Sequence, residues 1–164
     1  MSFLYPGEYI DSTYSIDFDK LYKEGYRGII FDIDNTLVTH GSPADERAIA
    51  LFKHLKELGF SCLVLSNNKE PRVKSFAKQV GIKYIYKAGK PKRAAMERLG
   101  TDTKNTLFVG DQIFTDIIGA NLTGIRSILV APIDPHEEIQ IVLKRFIEKP
   151  VIACYKRHLK KVNK

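Results

Sequence analysis

A chain of 164 residues, 44% apolar and 27% charged, suits one domain with its own core and leaves little for a second. It contains no run of about eighteen apolar residues, which excludes a membrane-spanning helix. It also lacks an opening basic-then-apolar segment, so no secretory signal is read and a cytoplasmic location is expected. The net charge is +7, and residues 136–164 alone hold eight Lys and Arg against three Glu. That basic end favours an anionic partner, phospholipid or nucleic acid, and reads equally as a solvated helix face. Two isolated cysteines, Cys62 and Cys154, suggest neither a disulfide nor a metal site.

Residues 1–15 are rich in Tyr, Gly and Pro and read as an irregular lead-in. A short helix is expected over 16–24, with Phe18, Leu21 and Tyr22 on one face and Gly25 as its stop. Residues 28–32 are a short apolar run ending in Asp32, the pattern of a buried strand. A loop follows, and Ser42-Pro43 opens a helix to Leu58, with Gly59 after it. Residues 60–65 read as a second strand that ends in Ser66-Asn67-Asn68, before a helix over 70–80 closed by Gly81. Further along come a short strand over 83–86, a helix over 91–99, and a strand over 106–110 running into Asp111. A helix over 114–122 and a last strand over 125–130 complete the alternation. Residues 135–159 look helical but broken at Pro150.

Strand–helix alternation from 28 to 130 predicts a three-layer α/β/α, Rossmann-like fold around a mainly parallel sheet. The strands are apolar throughout, as two covered faces require. Ligands of such folds bind beyond the carboxyl ends of the strands. There the chain gathers Asp32 and Asp34, Ser66 and Asn67, Lys90, and Asp111 and Asp116. Carboxylates brought together repel unless a cation neutralises them, and aspartate oxygens suit Mg²⁺, which also bridges to phosphate. Loop capping is the lesser reading of the Asp32/Asp34 pair, and Asp111 in its Val-Gly-Asp context after another strand weakens it further. Ser66-Asn67 offers a hydroxyl and backbone N–H groups at a helix start, which suits phosphate and also suits an ordinary N-cap. Lys90 suits a phosphate oxygen or plain solvent.

Phe31-Asp32-Ile33-Asp34-Asn35-Thr36-Leu37, Leu65-Ser66-Asn67, Lys90-Pro91 and Gly110-Asp111-Gln112-Ile113-Phe114-Thr115-Asp116 resemble, in order, the four motifs of the haloacid dehalogenase superfamily of phosphohydrolases. The resemblance implies Asp32 as nucleophile and Asp34 as general acid and base. It implies Mg²⁺ held by Asp32, the Asp34 backbone carbonyl, Asp111 and Asp116. Ser66, Asn67 and Lys90 would bind the phosphoryl group, and Thr36 would support the loop. The intervals from Asp34 to Ser66 and from Ser66 to Lys90, 32 and 24 residues, are too short for a cap domain.

Residues 8–18, 110–121 and the basic end also resemble the YqeG-like proteins of the capless subgroup IIIA, related to phosphatidylglycerophosphate phosphatases. Three segments are expected: a lead-in over 1–27 packing on the core, the catalytic core over 28–132, and a basic helical tail over 133–164. The implied activity is Mg²⁺-dependent hydrolysis of a bulky or lipid-linked phosphate monoester, with the tail at an anionic inner-membrane surface. The alternatives are a small-metabolite or nucleotide phosphatase and a non-catalytic RNA- or ribosome-associated module.

Overall fold

The computed structural model describes residues 3–86, 92–134 and 139–162. Its strands are β1 (Glu8–Ile10), β2 (Gly28–Phe31), β3 (Ser61–Ser66), β4 (Lys83–Tyr86), β5 (Thr106–Gly110) and β6 (Arg126–Val130). They form one sheet in the order β1-β6-β5-β2-β3-β4, with every pairing parallel. The helices are α1 (Phe18–Lys23), α2 (Glu46–Leu58), α3 (Glu70–Val80), α4 (Lys92–Leu99), α5 (Ile118–Thr123) and α6 (Ile139–Val162). The expected α/β/α fold is the one observed. Among the described residues no cap domain stands between the strands and the site.

The apolar strands fill both faces. Ile29 and Phe31 of β2 enter a core with Phe52 and Leu55 of α2 and Val73 and Phe76 of α3. Ile30, between them, enters a second core with Ala95, Met96 and Leu99 of α4, Phe108, and Ala120 of α5. Successive strand side chains point to opposite faces. A strand with no polar position therefore belongs in the middle of a sandwich.

Three local expectations change. Residues 8–10 are not irregular: they pair with β6 from Glu8↔Ile128 to Ile10↔Val130. Three residues are too few to show a period, and the strand forms because the free edge of β6 satisfies its backbone. Helix α2 starts later than the Ser42 cap predicts. Asp45 caps it, its Oδ1 accepting from Ala48 N at 2.9 Å, while Ser42 Oγ pairs with Thr39 Oγ1 at 2.6 Å. A carboxylate at the positive helix end outcompetes a hydroxyl three residues earlier.

Helix α6 runs unbroken through Pro150. Proline inside a helix costs about 3 kcal/mol. The face made by Glu148, Val151, Ile152 and Tyr155 offsets it. Val151 and Ile152 pack on Ile113, Ile117 and Leu129, and Tyr155 is buried. Full burial of one apolar side chain contributes about 1.5–3 kcal/mol, so the partly buried Val151 and Ile152 together with Tyr155 match that cost. Pro150 itself faces solvent.

Candidate active site

Strand register brings the acidic residues together. Phe31 of β2 pairs with Val109 of β5 on one side and with Val64 of β3 on the other. Asp32 N donates to Val109 O at 3.0 Å, so Asp32 leaves the sheet beside Gly110 and Asp111. Ser66 ends β3 on the opposite flank.

Carboxylate oxygens of Asp32, Asp111 and Asp116 all lie within 4.8 Å of one another, and all three residues are buried. The turn from Ile113 to Ile117 is a π-helical loop, wider than an α turn, and it carries Asp116 back toward β5. Asp116 accepts from Gln112 N at 3.1 Å and Thr115 Oγ1 at 3.4 Å. Gly110 makes room for it, since a Cβ there would collide with the Asp116 carboxylate. Thr36 Oγ1 donates to Asp111 Oδ1 at 3.0 Å. Three buried carboxylates at this spacing repel strongly in a low-dielectric site. An all-oxygen donor set of this charge fits a hard divalent cation such as Mg²⁺.

Asp34 stands apart from that cluster. Between the two aspartates the chain turns sharply: Ile33 O accepts from Thr36, Leu37 and Val38, and Asn35 N donates to Val38 O at 2.7 Å. Asn35 takes φ 61°, a left-handed conformation that asparagine tolerates better than most residues. The Asp34 carboxylate thereby faces α3. It accepts from Gly41 N at 2.8 Å, Arg72 Nη2 at 3.1 Å and Asn68 Nδ2, with His40 Nδ1 4.0 Å away.

A cavity of about 160 Å³ opens between the two carboxylate groups, lined by Asp32, Asp34, His40, Ser66, Asn67, Asn68, Gln112 and Thr115. Ser66 is buried and its Oγ accepts from Asn68 N at 3.2 Å, while Asn67 is exposed. Lys90 lies outside the described residues. A larger hollow of about 730 Å³ follows β4 between Glu70 and Arg98 and contains none of these groups.

Several supporting residues carry no sequence motif. Arg72 and Asn68, which hold Asp34, follow Ser66 closely, and a lone Arg in a first helical turn gives no warning of such a role. Thr13 Oγ1 donates to Thr36 O at 2.7 Å and Tyr14 Oη to Leu37 O at 2.6 Å, so the lead-in props the loop bearing Asp34. Burial, then the neighbouring Asp45, pushes the Tyr14 hydroxyl up to about 12, which keeps it a donor. Lys92, buried, donates from Nζ to Thr115 O at 2.9 Å beneath the Asp116 turn. Glu148 of α6, also buried, accepts from Ile113 N at 2.9 Å and Phe114 N at 3.3 Å. A partner 35 residues downstream is invisible to local pattern.

A parallel sheet between helices, with acidic residues gathered at its strand ends, defines the Rossmann-like class of fold. Residues 41–124 match the family model for haloacid dehalogenase-like hydrolases, a span that holds Ser66, Asn67, Asp111 and Asp116 and begins after Asp34. The chain is 36% identical over 160 residues to the "Probable phosphatase YqeG" of Bacillus subtilis (strain 168), covering 94% of this chain and 93% of that protein. It is 29% identical over 173 residues to "Phosphatidylglycerophosphate phosphatase 1, chloroplastic/mitochondrial" of Arabidopsis thaliana, covering 97% of this chain and 49% of that one. Among solved structures, the cobalt-bound deoxy-D-mannose-octulosonate 8-phosphate phosphatase (YrbI) of Haemophilus influenzae shares the fold. Its TM-score is 0.53 at 17% identity, over 68% of this chain and 70% of that one. The chain belongs to the haloacid dehalogenase-like hydrolases, and within them it is a phosphatase.

Proposed function

We propose that this phosphatase is a Mg²⁺-dependent phosphomonoester hydrolase that works through a phospho-Asp32 intermediate on a lipid-linked phosphate, of which phosphatidylglycerophosphate is the leading candidate. The observation that carries the reading is the approach of the Asp32, Asp111 and Asp116 carboxylates to within 4.8 Å at adjoining strand ends.

In the first displacement an Asp32 oxygen attacks phosphorus. The bond from phosphorus to the ester oxygen breaks as the Asp32–phosphorus bond forms, and Asp34 gives its proton to the departing oxygen. In the second, Asp34 takes a proton from a water whose oxygen attacks phosphorus. The Asp32–phosphorus bond breaks, releasing phosphate and restoring both side chains. Ser66 Oγ, the Asn67 N–H and Lys90 are assigned to the equatorial phosphoryl oxygens, where transition-state charge spreads. Mg²⁺, held by Asp32, Asp111, Asp116 and the Asp34 backbone carbonyl, would supply positive charge to those oxygens.

The substrate class rests on size and exposure. A cavity of about 160 Å³ lies below the roughly 300 Å³ at which small-molecule pockets usually begin. It has room for a phosphoryl group and little more, and no cap covers it among the described residues. The rest of the substrate lies outside. A lipid headgroup presented by a membrane meets that condition, and the Arabidopsis relative bears the name of such an activity.

Asp32→Asn removes the nucleophile and should abolish phosphate release while the circular dichroism spectrum stays unchanged. Persistent turnover in that variant would refute the mechanism. Faster hydrolysis of phosphatidylglycerophosphate in vesicles than of nucleoside monophosphates supports the lipid class, and the reverse order assigns a small-metabolite or nucleotide substrate.

A further inference from the structure

Gln112 and Thr115 line the catalytic cavity, and neither is among the phosphoryl contacts assigned above. The backbone of Gln112 is committed to the turn that carries Asp116. Its N–H donates to Asp116 Oδ2 at 3.1 Å, and its carbonyl accepts from Asp116 N at 3.0 Å and Ile117 N at 3.3 Å. The side chain makes a different contact: Thr115 Oγ1 donates to Gln112 Oε1 at 3.2 Å. Thr115 is itself held, since the buried Lys92 ammonium donates to Thr115 O at 2.9 Å. Gly119 leaves the space that this ammonium occupies, because a Cβ there would stand 2.5 Å from Lys92 Nζ.

A glutamine amide offers an acceptor oxygen at one end and an NH₂ donor at the other. With Oε1 engaged by Thr115, Nε2 is the end left for the cavity, and no group among the described residues accepts from it. Turned the other way, the amide would set a carbonyl oxygen against a cavity that Asp32 and Asp34 already line with carboxylates. Position supplies the ligand. Strands β5 and β3 stand on either side of β2, so Gln112 and Ser66 flank Asp32. A cavity of about 160 Å³ admits a phosphoryl group and little else, so a donor on its wall meets a phosphoryl oxygen.

We propose that Gln112 is a further phosphoryl-binding residue, donating from Nε2 to a phosphoryl oxygen on the β5 flank of Asp32, and that Thr115 is the positioning residue that turns the amide toward it. The proposal deepens the reading of this cavity as a phosphoryl site and rests on it. Ser66 and Asn67 hold the group from the β3 flank, and Gln112 holds it from the other. The β5 flank is otherwise acidic, through Asp111 and Asp116. A neutral amide supplies a donor there without a second cation that would compete with a divalent ion for those carboxylates.

The test is binding of inorganic phosphate to the full chain in the presence of Mg²⁺, measured by titration calorimetry, which needs no turnover. Gln112→Leu keeps the backbone bonds of the turn and removes the donor. It should weaken phosphate binding about tenfold or more, as loss of a hydrogen bond to a charged group does, while the melting temperature and Mg²⁺ affinity stay those of the parent. Gln112→Glu sets a carboxylate against the anion and should weaken it further. Thr115→Val frees the amide to turn and should give a smaller loss, which Thr115→Ser should largely restore. Unaltered phosphate affinity in Gln112→Leu overturns the proposal. So does parent-like affinity in Gln112→Glu, which would show that an acceptor faces the cavity. A loss of phosphate binding matched by an equal loss of Mg²⁺ affinity would assign the side chain to the Asp116 turn, and also overturns it. If the unmodified chain binds no phosphate, the phosphoryl reading of the cavity fails and this proposal with it. Phosphate binding that depends on Gln112, beside persistent turnover in Asp32→Asn, would sustain the proposal and remove only the phospho-Asp32 mechanism.

Discussion

Replacing Glu148 with alanine removes the buried carboxylate of α6 that reaches the turn carrying Asp116. The side chain accepts from two backbone donors, Ile113 N at 2.9 Å and Phe114 N at 3.3 Å. A hydrogen bond to a charged group contributes about 1.5–3 kcal/mol net, and a buried donor left without its partner costs about 1–3 kcal/mol. The shorter bond carries most of this, and relief of the carboxylate's own burial returns part, so a loss of about 3 kcal/mol is expected. In a chain of this length about 1 kcal/mol moves the melting temperature by roughly 2–4 °C, giving a drop of about 10 °C. Glu148→Gln keeps one acceptor without the charge and should lose less than half as much. The same turn positions Asp116, so divalent-ion affinity should fall as well. Titration calorimetry with Mg²⁺ at a temperature where both proteins are folded separates this from mere destabilisation. A Glu148→Ala protein that melts within about 1 °C of the parent and binds Mg²⁺ as tightly would refute the reasoning.

Arg72→Ala removes the guanidinium from Asp34 Oδ1 and leaves that oxygen the Gly41 N–H. Turnover of an alkyl phosphate should fall about 10²-fold, and that of p-nitrophenyl phosphate, whose leaving group needs no proton, should fall less. Equal losses would show that Arg72 supports the fold and not Asp34. Gly110→Ala forces a Cβ into the Asp116 carboxylate. It should weaken Mg²⁺ binding by about tenfold or more at little cost to secondary structure, and unaltered affinity in calorimetry would contradict the packing described. Burial pushes the Cys62 thiol up to about 12, while Cys154 is exposed. Iodoacetamide at about pH 8 should therefore modify one thiol of the folded protein, and rapid loss of both would contradict the burial of Cys62.

The sheet and its acidic strand ends were legible because each rests on a short local signal. An apolar run followed by Asp or Ser marks a buried strand that ends at a site, and parallel topology aligns those ends. What stayed hidden depends on partners distant in sequence. β1 exists through the edge of β6, more than a hundred residues away. Pro150 reads locally as a break, yet the face of α6 holding Val151, Ile152 and Tyr155 carries the helix through it. The Asp34 carboxylate turns toward Arg72 because a left-handed Asn35 reverses the chain, where an extended reading would leave it beside Asp32. Glu148 and Thr13, which brace the two acidic loops, are single polar residues in otherwise ordinary segments.

Chemical capture of the intermediate bears most directly on the nucleophile. After a rapid acid quench during turnover of a phosphomonoester with Mg²⁺, peptide mass spectrometry should find the phosphoryl group on Asp32. Phosphate on a different residue, or an unmodified Asp32 peptide under conditions that trap the intermediate in a known aspartyl-phosphate enzyme, would contradict the account.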